Sequence, residues 1–172
     1  MARWAYILTT FFALAAWAGA QGPVPAPPLS AADQLRLLKA NGTLIDNLVH
    51  HGVGLSSADT VEKRAEQCRG AAKALADAAQ DAASKQDTER VAELTSLFRD
   101  VFRDALLPTL QEGERTVTPE SPAGRKLREV RDASAGDVTA LKAAIPATGK
   151  VAENARVKKT LKELDTLAEK LK

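Results

Sequence analysis

The chain has 172 residues, with 24 Lys and Arg against 22 Asp and Glu, so its formal net charge is only +2. Such a balance gives weak long-range steering and argues against nucleic acid as an obligatory partner. After residue 20 the only aromatic rings apart from those of histidine belong to Phe98 and Phe102, and no Trp, Tyr or Met remains. This inventory argues against sugar-stacking lectins, aromatic platforms for single-stranded nucleic acid, thioether copper sites and tyrosine-based proton chemistry.

Residues 1–20 have the pattern of a signal peptide. Arg3 gives a positive start, the run from Ala5 to Ala16 is almost wholly apolar, and Ala18-Gly19-Ala20 supplies the small residues that signal peptidase reads. We expect cleavage after Ala20. The alternative is an uncleaved anchor, although the apolar run is short for a span of about 20 residues. Export predicts a periplasmic or secreted protein.

Residues 21–29 are predicted to form a Pro-rich linker, because the stretch from Gly22 to Pro28 favours polyproline II and cannot join a helix interior. The domain is then predicted to occupy residues 30–172. It contains no segment long and apolar enough to remain as a stable membrane span. With a single cysteine the chain cannot form an internal disulfide, so packing alone must hold this domain together.

The first predicted helix begins after Ser30, whose hydroxyl can cap the free amides, with Asp33 in the position of a capping box. Gly52 and Gly54 predict its end, because glycine readily takes the left-handed conformation that terminates helices. The apolar residues of the segment fall on one face: Leu35, Leu38, Ile45, Leu48 and Val49.

The second and third predicted helices form an antiparallel hairpin. Asp59 and Glu62 predict the start of the second helix. Its apolar residues alternate steps of four and three, as in a heptad seam: Val61, Ala65, Cys68, Ala72, Leu75, Ala79 and Ala82. The third helix supplies the bulk that this Ala-rich seam lacks: Val91, Leu94, Phe98, Val101, Phe102 and Ala105. The four residues from Lys85 to Thr88 allow only a reversal.

Pro108 is expected to kink or end the third helix, and a long internal loop is predicted at about residues 112–122. Ser121 and Pro122 predict the start of a fourth helix. Its seam is Leu127, Val130, Ser134, Val138, Leu141 and Ile145, and that of a fifth helix is Val157, Leu161, Leu164, Ala168 and Leu171. Because no stretch alternates with period two, we predict an all-α fold, an antiparallel up-and-down bundle of four to five helices.

His50 and His51 are the only histidines, and imidazole is the commonest transition-metal ligand. Adjacent side chains on a helix point about 100° apart, so the two rings can rarely share one ion. No further ligand follows at the spacing of a zinc or di-iron site. These residues are therefore weak metal candidates, and we predict no metal and no cofactor.

Cys68 lies on the seam of the second helix, where a free cysteine is usually a small core side chain. The alternative is an exposed thiol that forms an intermolecular disulfide. A nucleophilic role needs a neighbouring base, and the only histidines belong to another segment. No catalytic residue is predicted, and we do not expect an enzyme.

Arg125, Arg128 and Arg131 recur every three residues and are candidates for contact with an anion. Acidic residues are interleaved with them, among them Glu129 and Asp132, as on a solvated, salt-bridged helix face. An anion contact and a merely solvated face therefore remain the two interpretations of these arginines.

The segment from Leu44 to Leu110, with its KRAEQC and ERVAELTSLFRD stretches, resembles exported helix-rich proteins of unknown function from planctomycete-type bacteria. The resemblance covers about two-fifths of the chain. It implies an envelope location and a helical fold, and it carries no catalytic residues.

Two functions follow as hypotheses. The first is an exported, non-enzymatic helical bundle that contacts another envelope protein or a second copy of itself through its helices. A heptad seam satisfies contacts within the chain and between chains equally well, so the oligomeric state stays open. The second is an envelope sensor for a metal or small ligand that uses His50, His51 and Cys68.

Overall fold

A computed structural model describes residues 30–171 of the chain, and the predicted signal peptide (1–20) and linker (21–29) lie outside this range. Within it every regular element is helical, which confirms the predicted all-α fold. The helices are α1 (Ala31–Ser57), α2 (Val61–Ser84), α3 (Thr88–Val101), α4 (Leu107–Thr116), α5 (Pro122–Ala144), α6 (Lys150–Glu153) and α7 (Ala155–Glu169), with a π-helical segment, Phe102–Leu106, between α3 and α4. No described helix combines the length and apolar character needed to cross a bilayer.

The chain divides into two units, residues 1–39 and residues 40–172. The helical bundle belongs to the second unit. The described residues of the first unit form the opening turns of α1, on which Leu35 and Leu38 are exposed.

The predicted hairpin of α2 and α3 is present. Its turn is closed by Gln86, which takes a positive φ of 56°, and by Asp87, whose side chain accepts a hydrogen bond from the Arg90 amide. All seven predicted seam residues of α2 are buried, and Ala76 and Ala83 are buried beside them.

The remaining long helices complete an up-and-down arrangement. Lys126 of α5 pairs with Glu66 of α2, and Asp137 pairs with Arg69, so α5 runs parallel to α2. On the other side of the bundle Arg99 of α3 bonds to Glu163 of α7 at 2.8 Å. Helices α2, α3, α5 and α7 bury their predicted seams wholly or in large part, and the rings of Phe98 and Phe102 lie in the middle with centroids 5.7 Å apart.

The third helix does not end at Pro108 but is interrupted by the π-helical segment just before it. Pro108 lacks the amide hydrogen that would bond to residue 104, but the chain widens into a π turn just before it, and the Leu107 amide donates to the Phe102 carbonyl instead. The helical path then continues through α4 to Thr116.

The predicted loop at about residues 112–122 is accordingly shorter and spans residues 117–121. Gly113 looked like a turn residue but is buried within α4, where a Cβ atom would lie 2.6 Å from Leu127 Cδ1. The glycine permits close contact between α4 and α5. Ser121 caps α5 as predicted, because its hydroxyl accepts from the Gly124 amide.

Two helix ends near α2 also differ from prediction. Helix α1 continues through Gly52 and Gly54 to Ser57, and neither glycine takes a positive φ. Thr60 occupies the N-cap position of α2 without a side-chain capping hydrogen bond, whereas Asp59 forms an ion pair with Lys63 at 2.8 Å.

Candidate interaction surface on the first helix

The exposed large apolar side chains of the described residues are concentrated on α1. Six of the seven belong to this helix, and the other is Leu97 of α3. Within the second unit Ile45, Val49 and Val53 are 39%, 59% and 63% exposed and recur every four residues, so they form one row along the helix. We call these three residues the outer stripe. Such a row of uncovered aliphatic side chains is typical of an interaction surface.

A second apolar row on α1 faces the bundle. Leu44 and Leu48 are half-buried against the hydrophobic core. Each precedes a stripe residue by one position, which places the two rows about 100° apart around the helix. Helix α1 can therefore pack on the bundle and still present the outer stripe to a partner.

Polar contacts hold α1 in this orientation. His51 Nδ1 lies 2.9 Å from Gln67 Oε1 on α2, and the imidazole ring is close above Gly70. Nearer the other end, Arg90 Nη2 of α3 donates to Asn41 Oδ1 at 2.5 Å. None of the described side chains of α1 is fully buried, so the helix is attached to the bundle more weakly than its neighbours.

The spacing of apolar residues predicts that five residues share one face of the first helix. Of these only Leu48 is half-buried, and the other four are exposed: Leu35, Leu38, Ile45 and Val49. The predicted face therefore combined Leu48 of the row that faces the bundle with Ile45 and Val49 of the outer stripe. Val53 extends the row at the same spacing, and a helical wheel carried past Gly52 would have found it.

The structure places the rings of His50 and His51 side by side, whereas Cys68 lies in the core. The two imidazole rings stack edge to face with centroids 5.2 Å apart, and His50 is exposed. Cys68 is buried on α2, and this burial raises the pKa of its thiol, against the opposing effects of the Thr109 hydroxyl and Arg64. Among the described residues no three His, Cys, Asp or Glu side chains are grouped as metal ligands. A disulfide through Cys68 would require the helices around it to separate.

The three candidate arginines have different environments. Arg125 donates to the Glu120 carbonyl at 2.8 Å, and Arg131 forms an ion pair with Glu114. Arg128 and Arg131 line two open grooves beside α5, of about 650 and 270 Å³. The larger groove carries three cationic and three acidic side chains: Arg128, Arg131, Lys142, Asp132, Asp165 and Glu169. This balance does not favour an anion, and the anion contact stays a prediction.

No protein-family model matches this chain, and no curated protein or solved structure compared with it is significantly similar.

Proposed function

We propose that this protein acts through helix-to-helix contacts in which the outer stripe of α1 packs against another protein or a second copy. It is a non-enzymatic helical bundle, exported into the cell envelope. The observation that carries the proposal is the exposure of Ile45, Val49 and Val53 on a helix whose other apolar row already faces the core.

The contrast with the rest of the bundle supports this function. Helices α2 and α5 bury all of their predicted seam residues, so this sequence covers apolar surface wherever a neighbouring helix is available. Burying an aliphatic side chain contributes about 1.5–3 kcal/mol. Three branched side chains that are 39–63% exposed forgo part of that gain in the isolated chain and recover it when a partner covers them.

The envelope location is supported by the sequence of residues 1–20, with its positive start, apolar run and small residues before Gln21. The resemblance to exported helix-rich proteins points the same way. Intact-mass analysis of the protein isolated from its producing cells tests this part, since export by this route leaves a chain that begins at Gln21.

Photo-crosslinking from α1 in the producing cell tests the interaction. We would place a benzoylphenylalanine at position 49 and, as the matched control, at position 47, because Val49 and Asn47 are both exposed on the same helix but point in different directions. The expected result is a discrete protein adduct from position 49 that is absent from position 47. Equal adduct patterns from the two positions, or none from position 49, would overturn the proposal.

A further inference from the structure

We infer that the partner of the outer stripe is a second copy of this chain, with the two α1 helices crossing antiparallel about a two-fold axis at Val49. This inference rests on the proposed function and names the partner of the same surface.

The stripe is self-complementary under such a rotation. Its three branched side chains are equally spaced, with a rise of about 6 Å for each step of four residues. Reversing the helix about Val49 places Ile45 opposite Val53 of the second copy and Val49 opposite its own equivalent. The same patch then serves both subunits, as in a two-fold symmetric interface.

The polar residues beside the outer stripe are also complementary to those of a second, antiparallel copy. Asp46 and His50 lie on the same border one helical turn apart, and the antiparallel arrangement brings Asp46 of each copy beside His50 of the other. Asp46 is the only Asp, Glu, Lys or Arg between Gly42 and Ser56, so no pair of like-charged carboxylates, ammonium or guanidinium groups opposes this contact. The outer stripe has too few charged neighbours to complement the surface of a strongly charged partner of a different kind.

Small residues allow the second helix to come close. A Cβ atom built on Gly42 or Gly52 meets no atom within 4 Å, so the space on this side of α1 is open. Helices pack at interaxial distances of 8–10 Å, and flanking glycines favour the shorter end of that range. The contact is short, and a three-residue stripe is expected to give a weak, concentration-dependent dimer.

Charge-swap variants at the symmetry axis test the inference in the purified full chain. Val49→Asp places two carboxylates opposite each other and Val49→Lys two ammonium groups, so each variant alone is expected to lose self-association. An equimolar mixture is expected to recover it, since opposite charges then face each other. Asn47→Asp and Asn47→Lys are the matched controls, and both are expected to associate like the wild type in sedimentation velocity.

The outcomes separate this inference from the proposed function. A wild type that is monomeric at every concentration, or a mixture that fails to regain the dimer, overturns the second copy as partner. If position 49 then crosslinks to a different protein in cells, the proposed function survives without this inference. A crosslink to lipid alone identifies a membrane surface as the occupant and overturns both.

Discussion

The imidazole ring of His51 lies so close above Gly70 that a Cβ atom at residue 70 would be 2.5 Å from its Nδ1 atom. The same nitrogen contacts Gln67 Oε1 at 2.9 Å. Helix α1 is thus positioned on α2 by the contact between the His51 ring and the Gly70 backbone and by the hydrogen bond to Gln67. In this orientation Val49 and Val53 are exposed to solvent.

The variant Gly70→Ala is expected to loosen α1 without unfolding the bundle. The new methyl group overlaps the His51 ring, while alanine inside α2 gains about 1 kcal/mol of helix propensity over glycine. A double-mutant cycle measures both effects, because in a His51→Ala background the overlap is absent and Gly70→Ala should stabilise the protein. An equal effect of Gly70→Ala in the two backgrounds would show that the His51 contact does not position α1.

Hydrogen exchange should separate α1 from the rest of the bundle. Its described side chains are exposed or half-buried, whereas α2 and α3 carry the most deeply buried residues. We expect amides of residues 44–54 to exchange through local opening, at a free energy well below that of global unfolding. Protection of α1 equal to that of α2 would contradict this order of stability.

Neighbouring residues on α3 give a matched test of the core. Phe98 has no exposed surface and contacts the ring of Phe102, whereas Leu97 is 44% exposed. Phe98→Ala should cost about 3–5 kcal/mol of the free energy of unfolding. Leu97→Ala should cost less than about 1 kcal/mol. Reversible denaturant unfolding measures the difference, and similar losses for both variants would mean that α3 is rotated from the orientation described.

The thiol of Cys68 should make the protein less stable in alkali. Burial raises the pKa of this thiol in the folded chain above its ordinary value of 9.0. The unfolded chain therefore ionises first as the pH rises, and stability is lost through the pKa of the folded state. The contribution of the buried, neutral thiol to the free energy of unfolding is fully present below pH 9.0 and declines above it.

The variant Cys68→Ala isolates this contribution. We expect its free energy of unfolding to fall less steeply with alkaline pH than that of the wild type, by at most about 1.4 kcal/mol per pH unit. Below pH 8 the two curves should run parallel. Identical slopes at high pH would mean that the thiol is not buried, as would rapid reaction of the folded protein with a thiol reagent.

The sequence predicts much of this fold because α2 and α5 each have one apolar row. When a helix has a single such row, burying it leaves no choice of orientation, and every residue from Val61 to Ala82 on the α2 seam is buried as the spacing indicates. The hairpin turn follows from its length and polarity alone.

The orientation of α1 could not be predicted in the same way. This helix has two adjacent rows of apolar residues, one that begins at Leu44 and one that begins at Ile45. Periodicity does not indicate which of the two rows the bundle covers. In the observed orientation His51 contacts Gln67 and Gly70 of the next helix, and these contacts cannot be derived from the periodicity of α1 itself. The prediction that Gly113 begins a loop was wrong for a related reason. The sequence does not distinguish a glycine that allows close packing, here against Leu127, from a glycine that begins a turn.

The most direct test of the outer stripe is light scattering coupled to size exclusion on the protein isolated from its producing cells, comparing wild type with Val49→Asp, with and without reductant. We expect a wild-type mass above that of one chain, unchanged by reductant, and a single-chain mass for Val49→Asp. A complex that dissociates on reduction would assign the contact to Cys68. A wild type that is always a single chain would contradict self-association through the outer stripe, and a complex that survives Val49→Asp would show that another surface makes the contact.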